Sequence, residues 1–82
     1  MLVIDCYGKN VMVGEEIIGY INGDGDIFVS GRKFGRLEEH GEIYFAGKYV
    51  GYVEDNLDII INDKCVGYVT PDNNLKFKKG SF

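Results

Sequence analysis

The sequence predicts an all-β protein, an antiparallel meander of about ten short strands closed into a ring. Two interleaved patterns that recur every sixteen residues support this prediction. The first is an apolar-Gly-Tyr-apolar segment at residues 18–21, 50–53 and 66–69, with a variant at 34–37. The second is a short apolar segment that begins at Val11, Ile27, Ile43, Ile59 and Leu75. Strand starts therefore fall about every eight residues, which is typical of an up-and-down meander.

The chain of 82 residues is predicted to form one domain, 1–82, without a linker. Residues 3–82 divide into five units of sixteen residues, in which we number the motif glycine as position 0. Positions −1, +2, +8 and +10 are apolar in every unit except at Asp5, and these positions are the predicted core. Besides the five residues at +8 given above, the predicted core contains Ile18, Phe34, Val50, Val66 and Phe82 at −1, Ile21, Leu37, Val53 and Val69 at +2, and Val13, Val29, Phe45, Ile61 and Phe77 at +10.

The motif glycine lies between two core positions that cannot both face inward on a regular strand. Positions −1 and +2 differ by three residues, and side chains alternate between the two faces of a strand. We therefore expect a β-bulge or a sharp twist at the glycine, or a neighbouring backbone that needs the space of a missing Cβ. Either reason makes a side chain at Gly51 costly. The first unit has Val3 at this position, so it should deviate.

Closure of the ring follows from the edges of the predicted sheet. Two short strands cannot bury their own face, so the five units must share one core. Terminal strands would expose unpaired backbone unless the two ends of the sheet meet. Residues 1–5 are the predicted first strand, and Phe82 ends the last unit in a core position. We expect the first and last units to pair and to complete a ring with pseudo-five-fold symmetry.

The recurring apolar-Gly-Tyr-apolar strand, the Gly/Asp turn and the following Ile-aromatic strand resemble the bacterial β-flower proteins. The resemblance covers the whole chain. It implies a small fold of four or five radially arranged hairpins, and it brings no catalytic residues to this sequence. Choline-binding cell-wall repeats also use Gly-aromatic units, but they depend on Trp, which this chain lacks.

Charged residues separate into two classes of turn. The turns at residues 22–26, 39–42, 55–58 and 71–74 are acidic, whereas those near 30–32, 46–48, 62–64 and 79–81 carry bases. Alternate turns of a meander lie at opposite edges, so an acidic rim should oppose a basic rim. The candidates for the basic rim are Arg32, Lys33, Lys48 and Lys64. The separation could serve solubility alone, or it could allow stacking of rim on rim or docking of an anionic ligand.

Position +1 provides the candidate binding residues Tyr20, Arg36, Tyr52 and Tyr68. These side chains should point away from the core because they neighbour the inward position +2. One interpretation is cross-strand packing with the hydroxyl groups in solvent. The other is a repeated surface that binds a sugar, a peptide or a planar ligand. Phe28, Tyr44 and Ile60 at +9 could extend either surface.

Several classes of function and location are disfavoured by the sequence. A net charge of −4 argues against nucleic acid as a partner. No apolar stretch is long enough for a membrane helix, and the start of the chain does not read as a signal peptide. Cys6 and Cys65 form no CxxC pair, so we expect free thiols and a cytoplasmic protein, with a disulfide as the alternative.

The residues that could perform chemistry have simpler explanations. Residues 22–26 resemble a calcium loop but are too few and lack a bidentate Glu, so a hairpin turn is expected. His40 is the single histidine and should be an exposed turn residue. Asp5, in an apolar position, could be exposed where the ring closes, or it could be a buried functional carboxylate. No cofactor or metal site is predicted.

These observations favour a non-catalytic binding or interaction module over an enzyme. Repeats spread identical groups around a ring, whereas catalysis needs dissimilar groups that converge in one pocket. The expected partner is an unknown protein, carbohydrate or small molecule. The alternative is a structural subunit that self-associates through its opposed rims into a small homo-oligomer.

Overall fold

The structure is a computed structural model that describes residues 3–80, and every regular element in this range is a β-strand. The nine strands are β1 (Asn10–Val13), β2 (Glu16–Ile21), β3 (Asp26–Val29), β4 (Arg32–Leu37), β5 (Glu42–Phe45), β6 (Lys48–Val53), β7 (Asp58–Ile61), β8 (Lys64–Val69) and β9 (Leu75–Phe77). Each strand pairs with the next in sequence, and the sheet closes into a barrel. The prediction of an all-β meander closed into a ring is confirmed.

The barrel closes through a parallel pair, β1 with β9, in which Val11 pairs with Leu75. All other strand pairs are antiparallel. An odd number of strands in an up-and-down meander leaves the first and last strands running in the same direction, so this seam must be parallel. The first and last units do meet, as predicted. However, residues 3–9 form no strand, so the count is nine rather than ten. Met1 and Leu2 of the predicted first strand lie outside the described residues.

The four hairpins β1–β2, β3–β4, β5–β6 and β7–β8 share one β-bulge at intervals of sixteen residues. In β5–β6, Ile43 pairs with Gly51 and Tyr44 pairs with Tyr49, so Val50 has no partner across the hairpin. Positions −1 and +2 are three residues apart and would face opposite sides of a regular strand. Because of the bulge, both contact the core. The predicted bulge is therefore present.

The glycine beside each bulge also makes room for the neighbouring strand, so both reasons expected for it hold. A Cβ placed on Gly51 would overlap the carbonyl oxygen of Ile60 on β7. Cβ atoms at the equivalent glycines would overlap neighbouring carbonyl oxygens in the same way, at Gly19, Gly35 and Gly67. Only a residue without a side chain fits this backbone.

The core has two layers along the barrel axis. The layer nearer the long four-residue turns contains positions +2 and +8 and is fully buried, as at Ile21, Ile43 and Leu75. The layer nearer the two-residue turns contains positions −1 and +10, and its members pack against the core while partly exposed, except for buried Phe77. The predicted core position Phe82 lies outside the described residues.

Residues 3–9 close the long-turn end of the barrel. Ile4 and Cys6 are buried among the core residues, whereas Val3 and Asp5 are exposed. The backbone N–H of Ile4 donates to the carbonyl of Glu39 at 2.6 Å. The first unit therefore deviates from the repeat, as expected from Val3, and the carboxylate of Asp5 is exposed at the closure rather than buried.

Candidate binding surface

The four residues at position +1 form a belt on the outer wall of the barrel. Tyr20, Tyr52 and Tyr68 are 49%, 41% and 42% exposed, and the side chain of Arg36 is 43% exposed. They lie on β2, β4, β6 and β8, so one strand separates each from the next, or about 10 Å at the usual strand spacing. The structure therefore does not bring the four side chains together on one ligand.

Cross-strand packing and partial exposure coexist in this belt. Tyr20 stacks on Phe28, with ring centroids 5.0 Å apart and planes within 10°. The ammonium of Lys76 lies 5.9 Å from the centroid of the Tyr68 ring, in the range of a cation–π contact. The rings of Tyr20 and Tyr68 thus pack against a cross-strand neighbour while part of each side chain stays exposed.

Arg36 differs from the tyrosines because two carboxylates hold its guanidinium. Its Nε donates to Oε1 of Glu38 at 2.9 Å, and its Nη1 donates to Oδ1 of Asp26 at 3.4 Å. The hydrogen bond and charge of Glu38 raise the pKa of Arg36. Lys33 also turns to Asp26, with Nζ 3.3 Å from Oδ1. Lys33 therefore contributes to the outer wall, and the local charge there is balanced.

Three exposed tyrosines lie on the outer wall of β6 and β8, and we call this area the tyrosine face. It consists of Tyr49, Tyr52 and Tyr68 around Ile60, which is 9% exposed. Tyr49 is the most exposed of these tyrosines, at 57%. The sequence analysis did not identify Tyr49, because position −2 carries no repeated chemistry. The bulge expected from the sequence could have identified Tyr49, because a bulge brings positions −2 and +1 to the same outer wall.

The tyrosine face has acidic residues across the hairpins from Tyr52 and Tyr68, and the ammonium of Lys76 beside the Tyr68 ring. Glu42 and Asp58 pair with Tyr52 and Tyr68 across their hairpins. Among the described residues, Oε1 of Glu42 is the buried side-chain oxygen that lacks a hydrogen-bond partner. An acceptor without a donor beside an exposed aromatic ring would be stabilised by a basic group from outside.

The two ends of the barrel carry opposite charge, as the turn classes predicted. Ten acidic and two basic residues lie at or beside the long turns, a formal charge of −8. The remaining three acidic and seven basic residues lie toward the two-residue turns, a formal charge of +4. Arg32, Lys48 and Lys64 are exposed there and begin β4, β6 and β8. Lys76 reaches Glu15 at this end with Nζ 2.7 Å from Oε1, and this contact lowers the pKa of Glu15.

A half-open cavity of about 470 Å³ lies on the outer wall between β4 and β5. Phe34, Gly35 and Tyr44 line its apolar part. The charged groups Lys33, Arg36 and Glu38 stand around it. The sequence analysis predicted two of these residues as binding candidates but did not place them together, because Arg36 was assigned to the belt and Lys33 to the rim.

The cysteines and the acidic loop perform structural roles. Cys6 and Cys65 are free, the first buried and the second exposed. Burial, reinforced by the charge of Asp5, raises the pKa of the Cys6 thiol to about 11. Residues 22–26 form a turn in which Oδ1 of Asn22 accepts from the backbone N–H groups of Asp24 and Asp26. Among residues 3–80, no group of three or more His, Cys, Asp or Glu side chains is arranged to hold a metal ion.

Comparison with known proteins found no matching family model, no similar curated protein and no similar solved structure. The resemblance to β-flower proteins therefore stays a prediction. No helix in the described part of the chain combines the length and apolarity needed to cross a membrane.

Proposed function

We propose that this protein is a non-catalytic binding module that docks a protein partner on the tyrosine face. The observation that carries the proposal is the exposure of Tyr49 and Tyr52 on β6 and of Tyr68 on β8, each more than two-fifths exposed, with Ile60 of β7 between the two strands. Tyr is enriched at the centre of protein interfaces, where it contributes a large rigid surface with few rotamers to restrict.

The shape and charge of this face favour a particular kind of partner. It lies on the outer wall of a barrel, whereas sites for small molecules are usually concave. The carboxylates of Glu42 and Asp58 stand beside the rings, so the complementary surface carries basic residues next to apolar ones. The free exposed thiol of Cys65 suits a reducing compartment, and we place the module in the cytoplasm.

The proposed module is non-catalytic, because neither Cys6 nor Arg36, two groups whose pKa values are raised, is part of a nucleophile–base pair. The thiol with the raised pKa, Cys6, is buried in the segment that closes the long-turn end. Arg36, whose pKa is also raised, is held by carboxylates on the outer wall. Neither arrangement joins a nucleophile, a base and an open cavity.

The experiment compares protein capture by three immobilised forms of the protein. The wild type, Tyr52→Ser/Tyr68→Ser and the matched control Tyr20→Ser are exposed to the same cell extract, and bound proteins are quantified by mass spectrometry. We expect a partner bound by the wild type and the control but lost with the double variant, and reconstituted from purified components. If every captured protein is retained by the double variant, the tyrosine face is not the binding surface.

A second function, self-association, is favoured by the charge separation of −8 and +4 between the two ends. Stacking the acidic end of one copy on the basic end of another is a heterologous contact, which generates open chains rather than closed oligomers. Light scattering on a size-exclusion column should then show mass that rises with concentration at low salt and falls at high salt. Lys48→Glu/Lys64→Glu should abolish the effect. A monomer under all conditions would exclude this function.

A further inference from the structure

The seam between β4 and β5 breaks the pseudo-symmetry of the barrel. The other antiparallel seams that join consecutive hairpins, and β8 to β9, each contain three residue pairs, which begin at the bulge glycines Gly19, Gly51 and Gly67. The β4–β5 seam contains two pairs, and Gly35 is not among them. The pairing thus ends one residue earlier on the side of the two-residue turns, and Gly35, which lacks the third pair, is among the residues that line the cavity of about 470 Å³.

Two aromatic residues lie where the third residue pair is missing. Phe34 at −1 and Phe45 at +10 face each other across this seam, with ring centroids 4.6 Å apart and tilted by 55°. The β6–β7 seam has Val50 and Ile61 at these positions. A Cβ on Gly35 would lie 2.6 Å from Cδ1 of Phe45, whereas only backbone atoms are nearest at the other bulge glycines. The ring of Phe45 therefore extends over Gly35, where the third pair would form.

The chemistry of the cavity selects a neutral ligand. Lys33 and Arg36 stand at its edge, but Asp26 and Glu38 neutralise them at 3.3 and 2.9 Å. An anion would meet these carboxylates, and a cation would meet the guanidinium and the ammonium. A neutral molecule with adjacent donors and acceptors meets complementary groups from both, since guanidinium only donates and carboxylate only accepts.

We propose that this cavity binds a neutral sugar ring. The outward side chain of Tyr44 offers an aromatic surface to the C–H groups of the sugar ring, because the negative face of an aromatic ring attracts polarised hydrogens. Arg36 donates to one hydroxyl and Glu38 accepts from the next. The cavity volume lies in the range typical of small-molecule sites. This site adjoins the tyrosine face where the Tyr44 and Tyr49 rings meet, with centroids 5.8 Å apart, but it uses other residues and does not rest on the proposed function.

The experiment follows backbone amide shifts by NMR during titration with three matched sugars: neutral glucose, anionic glucuronate and cationic glucosamine. Each is raised to about 50 mM, above the millimolar range of weak complexes. We expect glucose to shift the amides of Gly35, Arg36 and Gly47 in a saturable manner, with weaker binding of both charged sugars. No saturable shift with glucose, galactose, mannose or N-acetylglucosamine would overturn the proposal, as would preference for glucuronate or for the planar heterocycle adenine.

Two variants test the site by introducing the residues that the other hairpins have at equivalent positions. These substitutions change the packing of the site without leaving it empty. Phe34→Val/Phe45→Ile gives this seam the residues of β6–β7, and Arg36→Tyr gives β4 the residue found on β2, β6 and β8. Each should weaken binding at least tenfold while the dispersed amide spectrum is retained. The control Ile17→Ser changes an exposed residue of β2 at the position equivalent to Lys33, and it should bind like the wild type. Unchanged affinity in both folded variants would place the sugar elsewhere and overturn the proposal.

Discussion

The repeated wall of β1–β9 and the closing segment, residues 3–9, follow the same sixteen-residue pattern in sequence but differ in structure. In the wall, Gly51 and its equivalents sit beside a bulge, and position +2 faces the core. In the first unit Val3 replaces the glycine, and its alternation is shifted by one residue: Ile4 and Cys6 face inward, while Asp5 faces outward. The unit that has a side chain at position 0 thus does not form a wall strand there. It forms the segment of residues 3–9 that closes the long-turn end of the barrel, which we call the cap.

The difference teaches that one missing Cβ decides whether a unit joins the wall. Each bulge glycine is pressed against a neighbouring carbonyl oxygen, and Val3 could not occupy that place. The segment instead crosses the long-turn end, where Gly8 N–H donates to the carbonyl of Ile21 at 2.7 Å. The repeat builds the wall, and a departure from the repeat closes its end.

The largest effect is expected from Gly51→Val, which introduces into the wall the residue that excludes the first unit from it. The new side chain would overlap the carbonyl oxygen of Ile60, so we expect a loss of about 3–5 kcal/mol in the free energy of unfolding, or an unfolded protein. Urea denaturation measures it. Gly23→Ala is the control, because the space around Gly23 is open, and it should change stability by less than about 0.5 kcal/mol. Equal effects of the two substitutions would contradict the role of the bulge.

The next largest loss of unfolding free energy is expected from shortening a buried side chain of the cap, Ile4. Ile4 is 4% exposed and Val3 is 62% exposed, so the two neighbours differ in burial rather than in chemistry. Ile4→Ala should cost about 2–4 kcal/mol of unfolding free energy, whereas Val3→Ala should stay within about 0.5 kcal/mol. Thermal and urea unfolding of both variants provide the test, and a neutral Ile4→Ala would show that residues 3–9 do not close the barrel.

The thiol of Cys6 gives the cap a specific pH dependence. Its pKa is raised from 9.0 to about 11 in the folded protein, so the folded state holds the proton more tightly than the unfolded state. The stabilisation is complete below pH 9 and is lost as the pH rises through 11, by about 2–3 kcal/mol. Stability of the wild type should therefore fall more steeply between pH 9 and 11 than that of Cys6→Val. Parallel pH profiles would disprove burial of the thiol.

The smallest effect concerns the seam between β1 and β9. The backbone N–H of Asn10 donates to Oδ1 of Asn74 at 3.0 Å. Asn74→Ala removes this acceptor and should cost about 1 kcal/mol, with faster hydrogen exchange at the amide of Asn10. Asn56→Ala, which removes an exposed turn contact to Asp58, is the comparison and should cost less. Unchanged exchange at Asn10 would show that the side chain does not hold the seam.

The wall could be predicted from the sequence because it depends on local rules repeated at a fixed interval. Alternation identified Ile43 and its equivalents as core, and the conflict of parity identified the bulge beside Gly51. The parallel seam could not be predicted, because it depends on the parity of the total strand count and on the failure of residues 3–9 to form a strand.

The candidate sites were less predictable than the wall, for a different reason. The belt residues were found because they repeat, whereas Tyr49 and the cavity arise where the repeat varies. Phe34 and Phe45 are separated by eleven positions and meet only after two strands pair. A position that carries different residues in each unit gives no periodic signal, although specific binding is expected where the units differ.

Because of the parallel seam, folding requires two kinds of step: formation of hairpins between neighbouring strands, and closure of the barrel between its first and last strands. Every strand pair except β1–β9 joins neighbours in sequence, and such hairpins form within microseconds. Closure joins Asn10 to Asn74, 64 residues apart, and loops of that length are slow to close. Until closure, β1 and β9 are two open edges on one chain. In concentrated solution, the β9 edge of one molecule can meet the β1 edge of another before its own barrel closes. The product is a domain-swapped dimer that has the same strand pairs as the monomer.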